Sequence, residues 1–126
     1  MALVLCTGIA PALLATRRMI LEAAGHQVVS VTDETALLDA CKRYSFDVAV
    51  LGQAVTSKMK RYICAVLRQQ CPGIKVLELY QPNSGRAVED ADDWLLTPVD
   101  VPKELADRVD DLAARGKRDK RNETSA

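Results

Sequence analysis

Short runs of apolar residues alternate with longer amphipathic stretches along most of this chain. The clearest run is residues 46–52, in which aliphatic and β-branched residues stand together and a glycine follows. A short unbroken run of this kind is typical of a strand buried on both faces, as in a parallel sheet. Similar runs lie at residues 2–7, 26–31, 74–80 and, more briefly, 93–96. The pattern therefore predicts five strands.

Amphipathic stretches connect these strands. The helical spacing of apolar residues predicts helices at about residues 11–24, 34–44, 57–70 and 102–115. Thr32, Asp33 and Glu34 supply capping oxygens for the second helix. The segment 81–90 is loop-like and has room for only a turn or two of helix. Strands and helices that alternate in this way form a parallel sheet with right-handed crossovers. We predict an α/β, three-layer, doubly wound sandwich.

The spacing also assigns the faces of two helices. We expect the first helix to pack against the core through Leu13, Leu14, Met19, Ile20 and Ala23, and the third through Met59, Tyr62, Ile63, Val66 and Leu67. We expect the charged residues to face solvent, namely Arg17, Arg18 and Glu22 on the first helix and Lys58, Lys60, Arg61 and Arg68 on the third. The basic side of the third helix is then a candidate binding surface.

Length and charge narrow the class of protein. The 126 residues suit one domain, which we place at residues 1–115, and the polar, aperiodic tail at 116–126 predicts disorder. Lys plus Arg equals Asp plus Glu, at 17 each, which argues against binding to nucleic acid. No apolar run approaches the roughly 18 residues that span a bilayer, and the N-terminus leads directly into a strand. We expect a cytoplasmic protein without a membrane partner.

The four cysteines and one histidine do not form a metal motif. Cys6, Cys41, Cys64 and Cys71 have no C-x-x-C spacing, and His26 is distant from each of them in sequence. Zinc sites depend on such spacing, and cytosolic cysteines of this kind are commonly small core residues. The adjacent carboxylates of Asp92 and Asp93 begin a strand, where acidic side chains are usually solvated. We therefore predict no metal site and no cofactor.

Three segments together resemble the receiver domain of bacterial response regulators. Residues 23–28 are similar to the family's entry into its second strand, and residues 46–51 to the approach to its phosphoacceptor. The most specific match is residues 91–109, which contain a strand, a Thr-Pro turn and the start of the last helix. The resemblance covers about residues 2–115 and implies a CheY-like, flavodoxin-like sheet of order 2-1-3-4-5. The short connection from Tyr80 to Ala91 implies a shortened or missing fourth helix.

The residues that carry the chemistry of this family are replaced. Receivers hold Mg²⁺ with two acidic residues and phosphorylate an aspartate, whose phosphoryl group a Thr or Ser and a Lys then stabilise. The corresponding positions here are Gly8, Ile9, Gly52, Tyr80 and Thr97. If the first loop is longer, the acidic pair falls on Thr7 and Gly8 instead. The resemblance therefore implies a degenerate receiver with no catalytic residue and no enzymatic activity.

Such a domain implies signalling by protein contact without phosphorylation. Its expected partners are other signalling proteins or a second copy of the chain. The candidate interaction face is the fifth strand and last helix, represented by Trp94, Thr97, Val99 and Arg108. Trp94 corresponds to an aromatic residue of the family's switching face. It fits a core position under a truncated face, a regulated switch or, if it is uncovered, an anchor for a partner.

Cys6 supports an alternative. Residues 4–14 are similar to the phosphocysteine loop of phosphotransferase-system IIB domains, in which a strand, a cysteine and a helix N-terminus follow one another. A helix N-terminus lowers the pKa of a thiol and favours bound phosphate. The loop lacks hydroxyl residues to hold phosphate, and that family does not account for the turn at Thr97. A phosphocarrier that uses Cys6 remains the second hypothesis.

Overall fold

The computed structural model describes residues 2–98 and 102–124. Its elements, in chain order, are β1 (Leu3–Thr7), α1 (Pro11–Ala23), β2 (Gln27–Val31), α2 (Glu34–Arg43), β3 (Val48–Leu51), α3 (Ser57–Gln70), β4 (Lys75–Tyr80), β5 (Asp93–Leu96) and α4 (Lys103–Thr124). Strands and helices alternate up to β4, as the sequence predicts. Two of the helices begin at polar caps, because Asp33 Oδ1 accepts from Ala36 N and Thr56 Oγ1 from Met59 N.

The five strands form one parallel sheet in the order β2-β1-β3-β4-β5. This confirms the predicted three-layer, doubly wound architecture. Side chains of successive residues point to opposite faces of a strand, so β3 contributes to two cores. Ala49 and Leu51 pack in the cluster that contains buried residues of α2 and α3. Val48 and Val50 pack in the cluster that contains those of α1 and α4.

Two basic residues lie on faces opposite to those predicted. Arg17 is buried in α1 together with Leu14 and Leu21, whereas Met19 is 72% exposed. Lys60 is buried in α3 at 2% exposure. Helical spacing accounts for both positions, because residues 14, 17 and 21 share one face of α1. The prediction that these two cations face solvent is wrong.

The predicted apolar face of α3 is correct in part. Ile63 and Leu67 are buried, but Met59 and Tyr62 are almost half exposed. The buried face begins instead at Lys60 and continues through Ile63, Cys64 and Leu67. Lys60 therefore cannot belong to the basic binding surface that the sequence suggests, because its ammonium points into the protein.

The chain passes from β4 to β5 without a helix. Residues 81–92 form turns and irregular backbone, which confirms the prediction of a shortened or missing fourth helix. The buried carboxylate of Glu78 accepts hydrogen bonds from the backbone amides of Ala87 and Val88, at 2.8–3.0 Å. Lys60 Nζ donates to Glu78 Oε2 at 3.0 Å and to Leu79 O at 2.7 Å. This network attaches the connection to the sheet.

The C-terminal part differs from the prediction. Helix α4 continues through Thr124, so the backbone of residues 116–124 is helical where the sequence led us to expect a disordered tail. Residues 117–123 are charged or polar types, and several of them, Lys, Arg and Glu, are good helix formers. Val99, which the sequence places at the candidate interaction face, lies outside the described residues. Within the described part, no helix is both long and apolar enough to cross a bilayer.

We predict that replacing Lys60 with Met (K60M) lowers the free energy of unfolding by about 3–5 kcal/mol, because the Glu78 carboxylate loses its buried cation. Urea denaturation followed by circular dichroism measures this change. Lys58→Met, on an exposed position of the same helix, is the matched control and should change stability by less than about 0.5 kcal/mol. Equal stability of the two variants would show that the buried pair is not needed.

Candidate functional site

The positions that the resemblance assigns to phosphoryl chemistry meet at one edge of the sheet. Gly8 follows β1, Gly52 follows β3, Tyr80 ends β4 and Thr97 follows β5. Because the strands are parallel, their carboxyl ends lie side by side, which is where open α/β sheets bind ligands. Ile9 lies at the same edge but is 64% exposed. The structure thus brings together positions that the sequence separates, and none of them carries a carboxylate or an amine.

Gly52 is packed too closely to carry a side chain. Its amide donates to Thr7 O at 3.1 Å. A Cβ atom at this position would lie 2.8 Å from the same carbonyl oxygen and 3.1 Å from Arg17 Nη1. Contacts of this kind require the backbone or the guanidinium to move. A residue with a side chain, including an aspartate, therefore does not fit at position 52 in this conformation.

The guanidinium of Arg17 lies over Gly52. Arg17 is only 7% exposed, and its Nη2 donates to the side-chain oxygen of Gln53. Burial lowers the pKa of this guanidinium, although a nearby thiol at Cys6 partly opposes the effect. The sequence analysis missed Arg17 as a site residue. The signal was its spacing of three and four residues from Leu14 and Leu21, which predicts a common buried face.

The oxygen atoms at this edge are already engaged. Thr97 is buried and its hydroxyl donates to Tyr80 O at 2.9 Å. Thr7, the alternative position for an acidic residue, donates its hydroxyl to Val50 O at 3.2 Å. A magnesium ion needs hard oxygen ligands, of which carboxylates are the usual choice in proteins. An edge with a guanidinium and hydroxyls bound to backbone does not fit that ion.

The described residues contain no group of three or more His, Cys, Asp or Glu side chains arranged to hold a metal ion. His26 instead has structural contacts, since its Nδ1 accepts from Ala2 N at 3.0 Å and its Nε2 contacts Asp110. Asp92 accepts from Val76 N and from Arg68, so its carboxylate secures the start of β5. These polar side chains therefore support the fold.

The predicted interaction face is partly engaged within the molecule. Trp94 is half-buried, its Nε1 donates to Val88 O at 3.0 Å, and the Arg86 guanidinium lies 4.7 Å from its ring centroid. Arg108 donates to both carboxylate oxygens of Asp93, at 3.0 and 3.1 Å. Thr97 is buried, so it cannot offer its side chain to a partner. The geometry favours the core position for Trp94 over the exposed anchor.

A different surface is apolar and exposed. Ile9, Met59 and Tyr62 are each at least 44% exposed and line a cavity of 130 Å³ between α2 and α3. The Tyr62 hydroxyl donates to Glu34 at the rim of this cavity. We call these three residues the apolar patch. The sequence analysis assigned two of them to the core, because helical spacing alone could not show where α3 rotates.

Cys6 is in an unfavourable environment for a nucleophile. The residue is fully buried within β1, and burial raises the pKa of its thiol to about 12. The positive charge of Arg17 acts in the opposite direction but is the smaller effect. The thiolate is the reactive form, so a thiol with this pKa is almost entirely protonated at neutral pH. The geometry does not support phosphocysteine chemistry.

Comparison with known proteins identifies the fold. No protein-family model matches the chain, and no curated protein matches it. Among solved structures, the chemotaxis response regulator CheY4 of Vibrio cholerae matches with a TM-score of 0.72 and 21% identity, over 89% of this chain and 98% of that one. The receiver domain of the Francisella response regulator 1452 matches with a TM-score of 0.76 and 21% identity, over 91% and 98%.

A third structure matches over a longer part of the chain. NtrX from Brucella abortus, solved in complex with ATP, gives a TM-score of 0.85 and 15% identity over 99% of this chain. The chain spans 29% of that protein. Similarity at these identities shows the fold alone, and it confirms the receiver-like architecture that the sequence resemblance implies.

We predict that Gly52→Ala (G52A) lowers the free energy of unfolding by about 1–3 kcal/mol, because its Cβ overpacks against Thr7 O. Thermal or urea denaturation measures the change. Gly116→Ala in α4 is the matched control, because its Cβ would make only ordinary contact, 3.8 Å from Lys75 Cγ. Alanine in a helix interior should stabilise by about 0.5–1 kcal/mol. A G52A variant as stable as the parent would contradict the close packing described here.

We also predict that Cys6 resists alkylation by iodoacetamide at neutral pH in the native protein, since its thiol is buried and protonated. Mass spectrometry of tryptic peptides follows each cysteine separately. Half-buried Cys41 should react faster than Cys6, and both should react rapidly in denaturant. Rapid labelling of native Cys6 would revive the phosphocarrier hypothesis.

Proposed function

We propose that this chain is a receiver-like signalling module that acts through protein–protein contact and is not phosphorylated at position 52. The fold supports the first part, because solved receiver domains share the architecture over most of this chain. The second part rests on residues at the carboxyl edge of the sheet. The proposal assigns no catalytic residue, metal or cofactor to the chain, and the chain then acts as a binding module rather than an enzyme.

The close packing at Gly52 is the observation that carries this proposal. Phosphoryl transfer in receivers needs a carboxylate nucleophile and a divalent ion that neutralises the transferred charge. Here position 52 has no room for a side chain, and a guanidinium lies over it. This edge is instead filled by the protein's own backbone and by Arg17.

The apolar patch supports a role in protein contact. Exposed apolar side chains that cluster at one place commonly mark interaction sites on soluble proteins. Ile9, Met59 and Tyr62 lie at the edge of the sheet where receivers carry their chemistry, and exposed Lys58 and Arg61 flank them on α3. The proposed partners are other signalling proteins, and a second copy of the chain is the alternative partner.

We predict that acetyl phosphate with Mg²⁺, or beryllofluoride with Mg²⁺, leaves the ¹H–¹⁵N NMR spectrum of this protein unchanged, because position 52 has no carboxylate to accept the group. A phosphorylatable receiver domain treated in the same way is the positive control and should show large shifts. Specific shifts at Gly52 and its neighbours would contradict the proposal. Light-scattering mass on the same sample then distinguishes a monomer from a pair of copies.

A further inference from the structure

Two of the four cysteines lie together at the edge of the sheet opposite to Gly52. Cys41 lies near the end of α2, and Cys71 is the C-cap of α3. These helices lead into β3 and β4, so their ends lie at the amino edge of the parallel sheet. Both cysteines line one surface cavity of 360 Å³. Both also pack in the same core cluster, Cys71 as a buried member and Cys41 at its margin.

The two thiols interact directly. Burial raises the pKa of the Cys71 thiol to about 12, and a hydrogen bond with Cys41 and the charge of that sulfur add to the effect. Both residues are free thiols in this structure. Two sulfur atoms in hydrogen-bond contact need only small side-chain movements to reach the geometry of a disulfide. The pair is therefore a dithiol that is placed to form a disulfide bond.

The two sulfur atoms differ in access to solvent. Cys41 is half-buried, whereas Cys71 is only 8% exposed. Exposed Lys42 lines the same cavity, and its positive charge favours the approach of an anionic reagent. Thiol–disulfide exchange depends on access to the attacking sulfur. Cys41 is therefore the thiol that reacts first, and Cys71 is the thiol that closes the bond.

The other two cysteines are placed less well for a bond. Cys6 lies in the core cluster on the opposite face of the sheet. Cys64 precedes Cys71 by seven residues on α3. Seven residues of helix span about 10 Å, which exceeds the Cα separation that a disulfide bridges. The native fold thus favours the pairing of Cys41 with Cys71.

We propose that Cys41 and Cys71 form a reversible disulfide by exchange with a small disulfide such as glutathione disulfide. The Cys41 thiolate, its proton lost to solvent, attacks one sulfur of that molecule, which releases one glutathione thiolate and leaves a mixed disulfide. Cys71 then loses its proton to solvent and attacks Cys41 Sγ, which releases the second glutathione. The chain gives up two protons and two electrons, and glutathione disulfide is reduced to two molecules of glutathione.

The bond connects the ends of two helices. It joins α2 to α3, both of which also line the cavity at the apolar patch. The inference rests on the placement of two thiols, so it does not depend on the proposed signalling role.

Oxidation of the full native chain in a glutathione buffer tests the proposal. Remaining thiols are blocked with N-ethylmaleimide in denaturant, and the chain is digested without reduction for mass spectrometry. Trypsin places the four cysteines on separate peptides, at residues 1–17, 19–42, 62–68 and 69–75. We expect peptide 19–42 linked to peptide 69–75, in a single chain that is lighter by two hydrogen atoms. Cys6 and Cys64 should lose their free thiols about tenfold or more slowly.

The same oxidation in urea is the control for the role of the fold. An unfolded chain favours the bond that closes the shortest loop, which is Cys64 to Cys71. We therefore expect the preferred pairing to change from Cys41–Cys71 in the native chain to Cys64–Cys71 in urea.

Three variants test the order of the two steps. Cys71→Ala (C71A) removes the second thiol, so glutathione should accumulate on Cys41 about tenfold or more above its level in the parent. Cys41→Ala should leave Cys71 as a free thiol, because its sulfur is buried. Cys64→Ala, on the same helix, is the matched control and should form the bond as the parent does. The peptide map of the unmodified chain decides the pairing even if a variant does not fold.

Three results would overturn the proposal. The first is a native chain that carries glutathione on Cys41 without any linked peptide, which would mean that the two sulfur atoms cannot meet. The second is linkage of either cysteine to Cys6, to Cys64 or to a second chain under native conditions. The third is no loss of free thiol at either cysteine with glutathione disulfide in large excess.

Discussion

The buried ion pair between Lys60 and Glu78 is the interaction on which this form of the fold depends. Glu78 lies in the middle of β4, where a buried carboxylate is tolerated only if both of its oxygens accept hydrogen bonds. Its carboxylate receives Lys60 from α3 and two backbone amides, those of Ala87 and Val88. Those amides would otherwise be buried without partners, since the connection contains no helix to satisfy them. One side chain thus joins α3, the sheet and the β4–β5 connection.

The same connection is held at further points. Arg68 donates to Asp90 O and to the Asp92 carboxylate, and Trp94 donates to Val88 O. A segment with this many polar contacts to the sheet is an unfavourable place for a large rearrangement, because each bond would have to break. These contacts are consistent with a module that presents a fixed surface. The hydrogen bond from Trp94 to the connection fits the same interpretation.

Two buried cations serve opposite purposes in this chain. Lys60 has a carboxylate partner and a carbonyl partner, so its charge is balanced within the protein. Among the described residues, Arg17 donates to the side chain of Gln53, and its guanidinium occupies the space next to Gly52 where receivers carry their phosphoacceptor. The first cation balances the carboxylate that holds the β4–β5 connection. The second fills the space that a side chain at position 52 would need.

The sequence determined the strands, the cap of α2 and the missing carboxylates, because these depend on local pattern and on residue identity. The order of the strands came from the family resemblance, since no local pattern specifies it. The helical spacing of Arg17 and Lys60 from buried leucine and isoleucine residues also indicated that these two side chains are buried. Their charge favoured exposure to solvent, and the prediction followed the charge. Only the tertiary structure decided how α1 and α3 are rotated, and therefore that Arg17 covers Gly52 while Met59 is exposed. Helix rotation follows from packing against strands distant in sequence, whereas the local spacing is compatible with more than one buried face.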